Sequence, residues 1–250
     1  MTLSDQELPR SARLHPARYL LYPFRPLGRA VIRRRIKVRI VYGEKLPKKG
    51  PVIIACNHIG VVDGPLLAIF APRPVHALTK QEMFKGFMKR FLLSSGQIPL
   101  DRFNPDPLAV KRCLRVLRSG NVVGIFPEGS RGGGEFDRFH TGAAYLAMVT
   151  GAPIVPVVQF GTREPGAHSS SLPAKGEVID MVFGDPFHIP RTVWPRRKRD
   201  VAARSVELRR HMIAHLDHAK ALTGRSLPGP LPGKETDPDP ATGITDVEAS

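Results

Sequence analysis

Residues 51–63 read Pro51-Val52-Ile53-Ile54-Ala55-Cys56-Asn57-His58-Ile59-Gly60-Val61-Val62-Asp63, an apolar run followed by a polar loop. Uninterrupted apolar residues are typical of a short strand that is buried on both faces, as in a parallel sheet covered by helices. The polar pair Asn57-His58 follows the run directly, and four residues separate His58 from Asp63. We therefore predict a central strand that ends at a sheet edge and presents a histidine and a carboxylate there.

His58 and Asp63 form the first candidate pair. A carboxylate one loop after the imidazole can accept a hydrogen bond from its far ring nitrogen, which fixes the tautomer and leaves the other nitrogen to take a proton from a hydroxyl. No hydroxyl side chain lies between the two residues. We therefore predict a base that activates the hydroxyl of a substrate, without a covalent enzyme intermediate. The alternative is that Asp63, which precedes Gly64-Pro65, only caps the next helix.

A second polar segment, Gly124-Ile125-Phe126-Pro127-Glu128-Gly129-Ser130-Arg131, follows another apolar run and precedes three more glycines. Backbone amides exposed by glycines, together with one guanidinium, favour phosphate binding. Ser130 does not fit a nucleophile elbow, because Glu128 occupies the first glycine position of Gly-x-Ser-x-Gly. A Walker P-loop is excluded as well, since no Gly-Lys-Ser/Thr follows. The alternative is a flexible hairpin with a solvated arginine.

Together, Asn57-His58-x-x-x-x-Asp63 and Phe126–Arg131 resemble two blocks of the glycerolipid acyltransferase family, typified by 1-acyl-sn-glycerol-3-phosphate acyltransferase. Two further blocks of that family have counterparts in the expected order. Gly96-Gln97-Ile98-Pro99-Leu100-Asp101-Arg102 is similar to the second block, and Ile154-Val155-Pro156-Val157 is similar to the fourth. The resemblance covers residues 38–190.

The resemblance implies transfer of a fatty acyl group from acyl-CoA or acyl carrier protein to the free hydroxyl of 1-acyl-glycerol-3-phosphate, giving phosphatidic acid. It implies His58 as the general base and Asp63 as the group that orients it. The other implied site residues are Arg102, Glu128, Gly129, Arg131 and Lys80 for substrate binding, with Asn57, Ser130 and Pro156 in support. It implies no metal and no organic cofactor.

The composition predicts one α/β domain with an anionic partner. A chain of 250 residues with 42% hydrophobic residues suffices for a single core. The formal net charge of +16 fits a membrane surface, a phosphorylated substrate or nucleic acid. Only two cysteines occur, which disfavours a disulfide framework and favours a reducing compartment. His211, His215 and His218 share a helical face, but no fourth ligand accompanies them, so we predict a solvated face and no metal site.

The N-terminal segment, residues 1–37, is predicted to be basic and amphipathic. Residues 1–50 carry thirteen Lys and Arg against three acidic residues. Between Pro16 and Arg35, aromatic and aliphatic residues such as Tyr19 alternate with arginines, a mixture typical of a helix lying among lipid headgroups. Pro23 and Pro26 predict two short helices or an irregular anchor there. The alternative is a solvated basic helix that packs on the core.

Residues 38–224 are predicted to form the acyltransferase domain, a mostly parallel or mixed sheet flanked by helices. The predicted strands are Val38–Val41, Val52–Cys56, His76–Leu78, Gln97–Pro99, Val122–Phe126, Ile154–Gln159 and Val178–Phe183. The predicted helices are Pro65–Phe70, Glu82–Leu93, Pro105–Ser119, Gly142–Thr150 and Asp200–Leu222. Residues 225–250 are rich in Pro, Gly and acidic residues, and we predict that they are disordered and dispensable for chemistry.

No predicted segment reaches the length of about eighteen apolar residues that a membrane-spanning helix needs. We therefore expect a peripheral or monotopic protein on the cytoplasmic face of the cell membrane. Two alternatives stay open: a related acyltransferase acting on another lysophospholipid or a glycolipid, and a basic nucleic-acid-binding or lipid-binding protein without catalysis. No helix-turn-helix, zinc finger or single-strand-binding pattern supports nucleic-acid binding.

Overall fold

A seven-stranded mixed sheet organises the structure, a computed structural model that describes Ala12, Pro16, residues 20–233 and Glu235. The strands are β1 (Lys37–Val41), β2 (Val52–Cys56), β3 (Val75–Lys80), β4 (Ile98–Leu100), β5 (Val122–Ile125), β6 (Ile154–Phe160) and β7 (Val178–Phe183). Their order in the sheet is β1-β7-β6-β2-β5-β3-β4. All neighbouring pairs are parallel except β6 and β7.

Helices cover both faces of this sheet. They are α1 (Phe24–Arg33), α2 (Asp63–Phe70), α3 (Gly86–Ser94), α4 (Pro107–Arg118), α5 (Gly142–Thr150) and α6 (Lys198–Thr223). Apolar side chains of α4, α5 and α6 form one core cluster with one face of the sheet, and those of α2 form a second cluster with the other face. Both faces of β2 are therefore covered, which explains its uninterrupted apolar sequence.

The predicted fold class is confirmed, and the seven predicted strands and five predicted helices all occur, with ends that differ by a few residues. α4 begins at Pro107 and not at Pro105, because Asp106 caps it: the Asp106 Oδ1 atom accepts a hydrogen bond from the Ala109 N–H at 2.8 Å. The prediction of a solvated histidine face is wrong for His215. That side chain is buried and its Nε2 lies 3.1 Å from the Val182 carbonyl oxygen.

The N-terminal segment forms one helix within the described residues, where interrupted helices or an irregular anchor were predicted. α1 begins immediately after Pro23 and holds Pro26 in its first turn, where a missing N–H breaks no helical hydrogen bond. Arg25 and Arg29 donate to the carbonyls of Ile69 and Ala71 at the end of α2. These two guanidiniums therefore contact α2, while the predicted residue Tyr19 lies outside the described part of the chain.

The beginning of the predicted tail lies against the domain as far as the structure describes it. The Arg225 side chain donates to Asp180 at 3.1 Å and to the Val178 carbonyl at 2.6 Å. Leu227 packs against the larger core cluster. Glu235 accepts hydrogen bonds from the Ser169 N–H at 3.2 Å. Residues 225–233 and Glu235 thus differ from the disordered tail that composition predicted, because local polar partners and one apolar contact hold them.

We expect Asp106→Ala to lower the free energy of unfolding by about 1 kcal/mol, because it removes the N-cap of α4. Urea unfolding followed by circular dichroism measures the change. Asp217→Ala, on the exposed face of α6, is the matched control and is expected to change stability by less than about 0.5 kcal/mol. Equal effects of the two substitutions would contradict the capping role.

Candidate active site

Four loops meet at one edge of the sheet and bring most of the predicted site residues together. β2, β3, β4, β5 and β6 run in the same direction, so their carboxyl ends lie at the same edge. β2 lies between β5 and β6 in the sheet. The loop that carries His58 therefore lies between the loop that carries Glu128 and the loop after Phe160.

His58 and Asp63 are in direct contact, as the sequence predicted. The His58 Nδ1 atom lies 2.8 Å from the Asp63 Oδ2 atom. The Asp63 side chain is fully buried, whereas the His58 side chain is 21% exposed and its ring stacks on Phe126 with centroids 4.4 Å apart. Because the carboxylate oxygen accepts a hydrogen bond from Nδ1–H, the Nε2 atom carries the lone pair. The ring is thus held with one nitrogen able to accept a proton.

The backbone before Asp63 is folded around the same carboxylate oxygen. The N–H groups of Ile59 and Gly60 donate to Asp63 Oδ2 at 2.7 and 2.8 Å. α2 begins at Asp63, so the carboxylate turns back to the preceding loop and does not cap the helix. The alternative reading of Asp63 as a helix cap is therefore replaced by a role in the loop.

Glu128 holds the backbone of His58 from the other side. Its Oε1 atom accepts a hydrogen bond from the His58 N–H at 2.8 Å, and its side chain is 6% exposed. Burial, with a smaller contribution from the charge of Asp63, raises the pKa of Glu128 to about 8, although the hydrogen bond from His58 opposes the shift. Glu128 was predicted to bind substrate, and the structure places its carboxyl group against the loop that carries His58.

Asn57 and Gln159 fasten the end of β2 to β6. The Asn57 side chain donates to the Gln159 carbonyl at 3.0 Å and accepts from the Gln159 N–H at 2.8 Å. The Gln159 Nε2 atom lies 3.2 Å from both the Cys56 sulfur and the Asp63 carbonyl oxygen. Cys56 is fully buried and burial raises the pKa of its thiol, so it does not supply a nucleophile beside His58.

The two arginines predicted to bind substrate lie in loops at the same edge. Arg102 Nη1 donates to the Gly129 carbonyl at 3.2 Å, and its Nη2 lies 3.7 Å from Glu82. Arg131 Nη1 donates to the Ser169 carbonyl at 3.1 Å. Gly129 has φ +72°, a left-handed conformation that favours glycine at this turn. The loop cluster therefore carries two guanidiniums beside the His58 and Glu128 loops.

The remaining predicted residues are placed differently. Lys80 ends β3, at the same edge but two strands from β2. Ser130 is buried between Gly129 and Arg131. Pro156 pairs with Ala55 in the middle of β6, so the structure does not bring it into the loop cluster. Among the described residues, no group of three or more His, Cys, Asp or Glu is placed to hold a metal ion.

Sequence reasoning missed Arg163 and Gly134. Arg163 is 3% exposed and donates to the Ile59 carbonyl at 2.8 Å and to the Gly132 carbonyl at 3.1 Å. Gly134 has φ +84°, and a Cβ there would lie 2.4 Å from the Ile59 side chain. The only sequence signal was position: Arg163 follows a predicted strand at the active edge, and Gly134 ends a glycine run.

The molecule is an α/β protein with an oriented histidine and adjacent guanidiniums at the carboxyl edge of its sheet, which together form a candidate active site. Residues 37–159 match the family model described as Acyltransferase. A 1-acyl-sn-glycerol-3-phosphate acyltransferase of Bacillus subtilis is 31% identical over 162 residues, 64% of this chain and 78% of that protein. The chain belongs to the glycerolipid acyltransferase family, and it is an O-acyltransferase.

Two further relatives show how far the similarity extends. A 1-acyl-sn-glycerol-3-phosphate acyltransferase of Borreliella burgdorferi is 35% identical over 133 residues, 51% of this chain and 53% of that protein, so the chain matches about half of that relative. The crystal structure of the 1-acyl-sn-glycerophosphate acyltransferase PlsC of Thermotoga maritima has a TM-score of 0.57 and 18% identity, over 80% of each chain. The likeness to the Thermotoga structure shows that the fold is shared.

We expect the pH dependence of stability to report the burial of Glu128. The pKa of Glu128 is raised from 4.5 to about 8, so the folded protein binds this proton more tightly than the unfolded chain. The stabilisation is complete below about pH 4.5 and is lost as the pH rises through about 8. Relative to Glu128→Gln, the wild type should lose at most about 1.4 kcal/mol of unfolding free energy per pH unit in this window.

Urea unfolding of both proteins at several pH values between 4.5 and 9 measures this difference. Glu207→Gln, an exposed carboxyl on α6, is the control and should track the wild type across this window. A constant difference between wild type and Glu128→Gln would show that Glu128 is ionised throughout.

Proposed function

We propose that this protein transfers a fatty acyl group from a thioester, acyl-CoA or acyl carrier protein, to the free hydroxyl of 1-acyl-glycerol-3-phosphate, giving phosphatidic acid. The observation that carries the proposal is the His58–Asp63 contact at 2.8 Å beside a loop that holds Arg131. The names of the Bacillus and Borreliella relatives support the acceptor. Other lysophospholipids and glycolipids are alternatives that an acceptor series distinguishes.

The proposed chemistry is a direct displacement at the thioester carbonyl. The acceptor oxygen forms a bond to the acyl carbon while its proton moves to His58 Nε2, and the carbon–sulfur bond breaks to release a thiolate. Asp63 stabilises the imidazolium that forms, and the imidazolium then returns the proton to the thiolate. Water and covalent enzyme intermediates take no part in this sequence.

We propose that Arg131 and Arg102 hold the phosphate of the acceptor. A guanidinium suits this task because it presents parallel N–H donors to phosphate oxygens. Ser169 and Gly129 each hold one guanidinium through a backbone carbonyl, which limits the freedom of both side chains. Holding the phosphate places the hydroxyl next to His58, and such orientation contributes a large part of the rate. Lys80 would add positive charge farther along the edge.

We also propose that α1 and α3 contact an anionic membrane surface on its cytoplasmic face. The two helices meet where Phe24 and Phe91 pack edge to face, with ring centroids 5.4 Å apart. Leu27 and Val31 on α1 are 59% and 55% exposed, and Phe87 on α3 is 81% exposed. Three exposed cations accompany Phe87 in sequence: Lys85, Lys89 and Arg90. This combination suits insertion into a headgroup layer.

The cytoplasmic side is proposed because Cys56 and Cys113 are both free and buried, as is usual in a reducing compartment. Within the described residues, no helix is both long enough and apolar enough to cross a bilayer. The proposed surface also adjoins the loop cluster, since Glu82, just before α3, lies 3.7 Å from Arg102. A lipid acceptor would then reach the site from the membrane side.

We expect His58→Ala to reduce acceptor-dependent thiol release from oleoyl-CoA by about 100-fold or more, because it removes the base. Release is followed with a thiol reagent, with and without lysophosphatidic acid. His218→Ala, an exposed histidine on α6, is the matched control and should match the wild type. Acceptor-independent release would indicate a thioesterase, and undiminished release by His58→Ala would refute the mechanism.

We expect Phe87→Ser to weaken binding to vesicles that contain anionic lipid by about tenfold, since one aromatic side chain no longer leaves water. Trp194→Ser is the control, because Trp194 is also largely exposed, at 67%, but lies in a loop beside the end of α5. Vesicle sedimentation measures both. Equal loss by the two variants, or none by Phe87→Ser, would contradict the proposed surface.

A further inference from the structure

Arg163 connects the catalytic loop to a segment near the C-terminus. The residue follows β6, beyond residues 37–159 that match the family model. Its guanidinium donates to four backbone carbonyls: Ile59 at 2.8 Å, Ala167 at 3.0 Å, Gly132 at 3.1 Å and Gly229 at 2.5 Å. Burial lowers the pKa of Arg163, and the charges of Glu235 and Asp63 oppose that shift. The buried cation is thus solvated by backbone dipoles.

The bond to Ile59 acts on the hydrogen bonds of Asp63 through a shared peptide plane. The Ile59 carbonyl belongs to the same planar unit as the Gly60 N–H, because a peptide bond does not rotate freely. Arg163 holds the oxygen of that plane, and Asp63 Oδ2 holds its N–H. Fixing the carbonyl therefore fixes one of the three donors that surround the catalytic carboxylate.

The bond to Gly132 acts on the neighbouring peptide plane. The Gly132 N–H donates to the His58 carbonyl at 2.9 Å, and the Gly132 carbonyl accepts from Arg163. The His58 carbonyl shares its plane with the Ile59 N–H, which also donates to Asp63 Oδ2. Arg163 therefore supports both peptide planes whose N–H groups orient Asp63, one directly and one through Gly132.

We call residues 227–233 and Glu235 the strap. It contacts Arg163, the Gly134 turn and Ser169. The Gly229 carbonyl completes the set of acceptors around Arg163. Leu227 would lie 3.4 Å from a Cβ at Gly134, so it covers the glycine turn. Glu235 accepts from the Ser169 N–H at 3.2 Å and lies 3.2 Å from His168 Nδ1.

Ser169 carries the influence of the strap to the proposed acceptor site. Its carbonyl accepts from the Val61 N–H at 3.0 Å and from Arg131 Nη1 at 3.1 Å. The strap therefore reaches the catalytic loop through Arg163 and reaches Arg131 through Ser169. Loss of the strap would therefore affect both the His58 loop and Arg131.

We propose that the strap is a working part of the active site and that Arg163 is the positioning residue through which it orients the His58–Asp63 pair. Without the Gly229 carbonyl, a buried guanidinium N–H has no acceptor, and such a donor moves toward water. The Ile59 peptide then loses its fixed orientation. The effect on turnover rests on the proposed acyl transfer, whereas the effect on the tautomer of His58 is independent of it.

The first test compares two shortened chains. One ends at Ser226 and lacks the strap, and its matched control ends at Pro238 and keeps it. We expect the chain ending at Ser226 to lose kcat by about tenfold or more, as misplaced catalytic groups do, with an unchanged KM for the thioester. We also expect its KM for lysophosphatidic acid to rise, because Ser169, whose carbonyl holds Arg131, loses its hydrogen bond to Glu235. The chain ending at Pro238 should match the wild type.

The second test reads the His58 ring directly by ¹⁵N-¹H NMR, with the imidazole neutral and its signals assigned by their loss in His58→Ala. Wild type and the chain ending at Pro238 should show a protonated Nδ1. Arg163→Gln and the chain ending at Ser226 should shift toward a protonated Nε2, and Arg163→Lys should lie between. Arg73→Gln is the matched control, because Arg73 donates to the carbonyls of Pro47, Gly50 and Gly120, away from His58.

The outcomes separate the two proposals. A wild type that turns over no acceptor would refute the proposed acyl transfer, and the tautomer measurement would still test the strap. A chain ending at Ser226 that keeps both its kcat and its Nδ1 proton would overturn the strap proposal, even if Arg163→Gln fails to fold. An equal tautomer shift in Arg73→Gln would also overturn it, since general destabilisation would then explain the shift.

Discussion

Three hydrogen-bond donors meet at one buried carboxylate oxygen, Asp63 Oδ2: the His58 ring and the N–H groups of Ile59 and Gly60. A buried carboxylate is stable only when donors replace the water it has lost. The loop of residues 58–60 therefore folds around Asp63, and this fold fixes the orientation of the His58 ring. The same contacts therefore orient the His58 ring and replace the water around one buried charge.

The loops around this carboxylate leave carbonyl groups that also need partners. Buried backbone groups are almost always hydrogen-bonded, and an arginine offers five N–H donors on one rigid plane. Arg163 serves four carbonyls at the active edge of the sheet, and Arg73 serves three near the beginnings of β2 and β5. At each of these two edges, one arginine supplies the donors that irregular backbone carbonyls need. All of these contacts go to carbonyl groups and none to a carboxylate.

The features that could be predicted from the sequence are those that depend on residues close together in the chain. Uninterrupted apolar runs fixed the buried strands, and β2 and β7 occur with the predicted ends. His58 and Asp63 were predictable because a strand end and a five-residue offset bring them together. The start of α4 was predicted two residues too early, at Pro105, since either of two prolines fits the first turn of that helix. The arginines between Pro16 and Arg35 were predicted to lie among lipid headgroups, because the sequence does not show the carbonyls at the end of α2 that Arg25 and Arg29 contact.

The sequence by itself determined the α/β class, the contact between His58 and Asp63 and the family blocks, because each is a pattern of neighbouring residues. Only the tertiary structure decided that Glu128 supports the His58 backbone, that Pro156 lies inside the sheet, and that Arg163 and the strap reach the active edge. These contacts join residues that lie 66–104 positions apart. Local periodicity carries no information on such pairs, since the crossing order of the strands brings their loops to one edge.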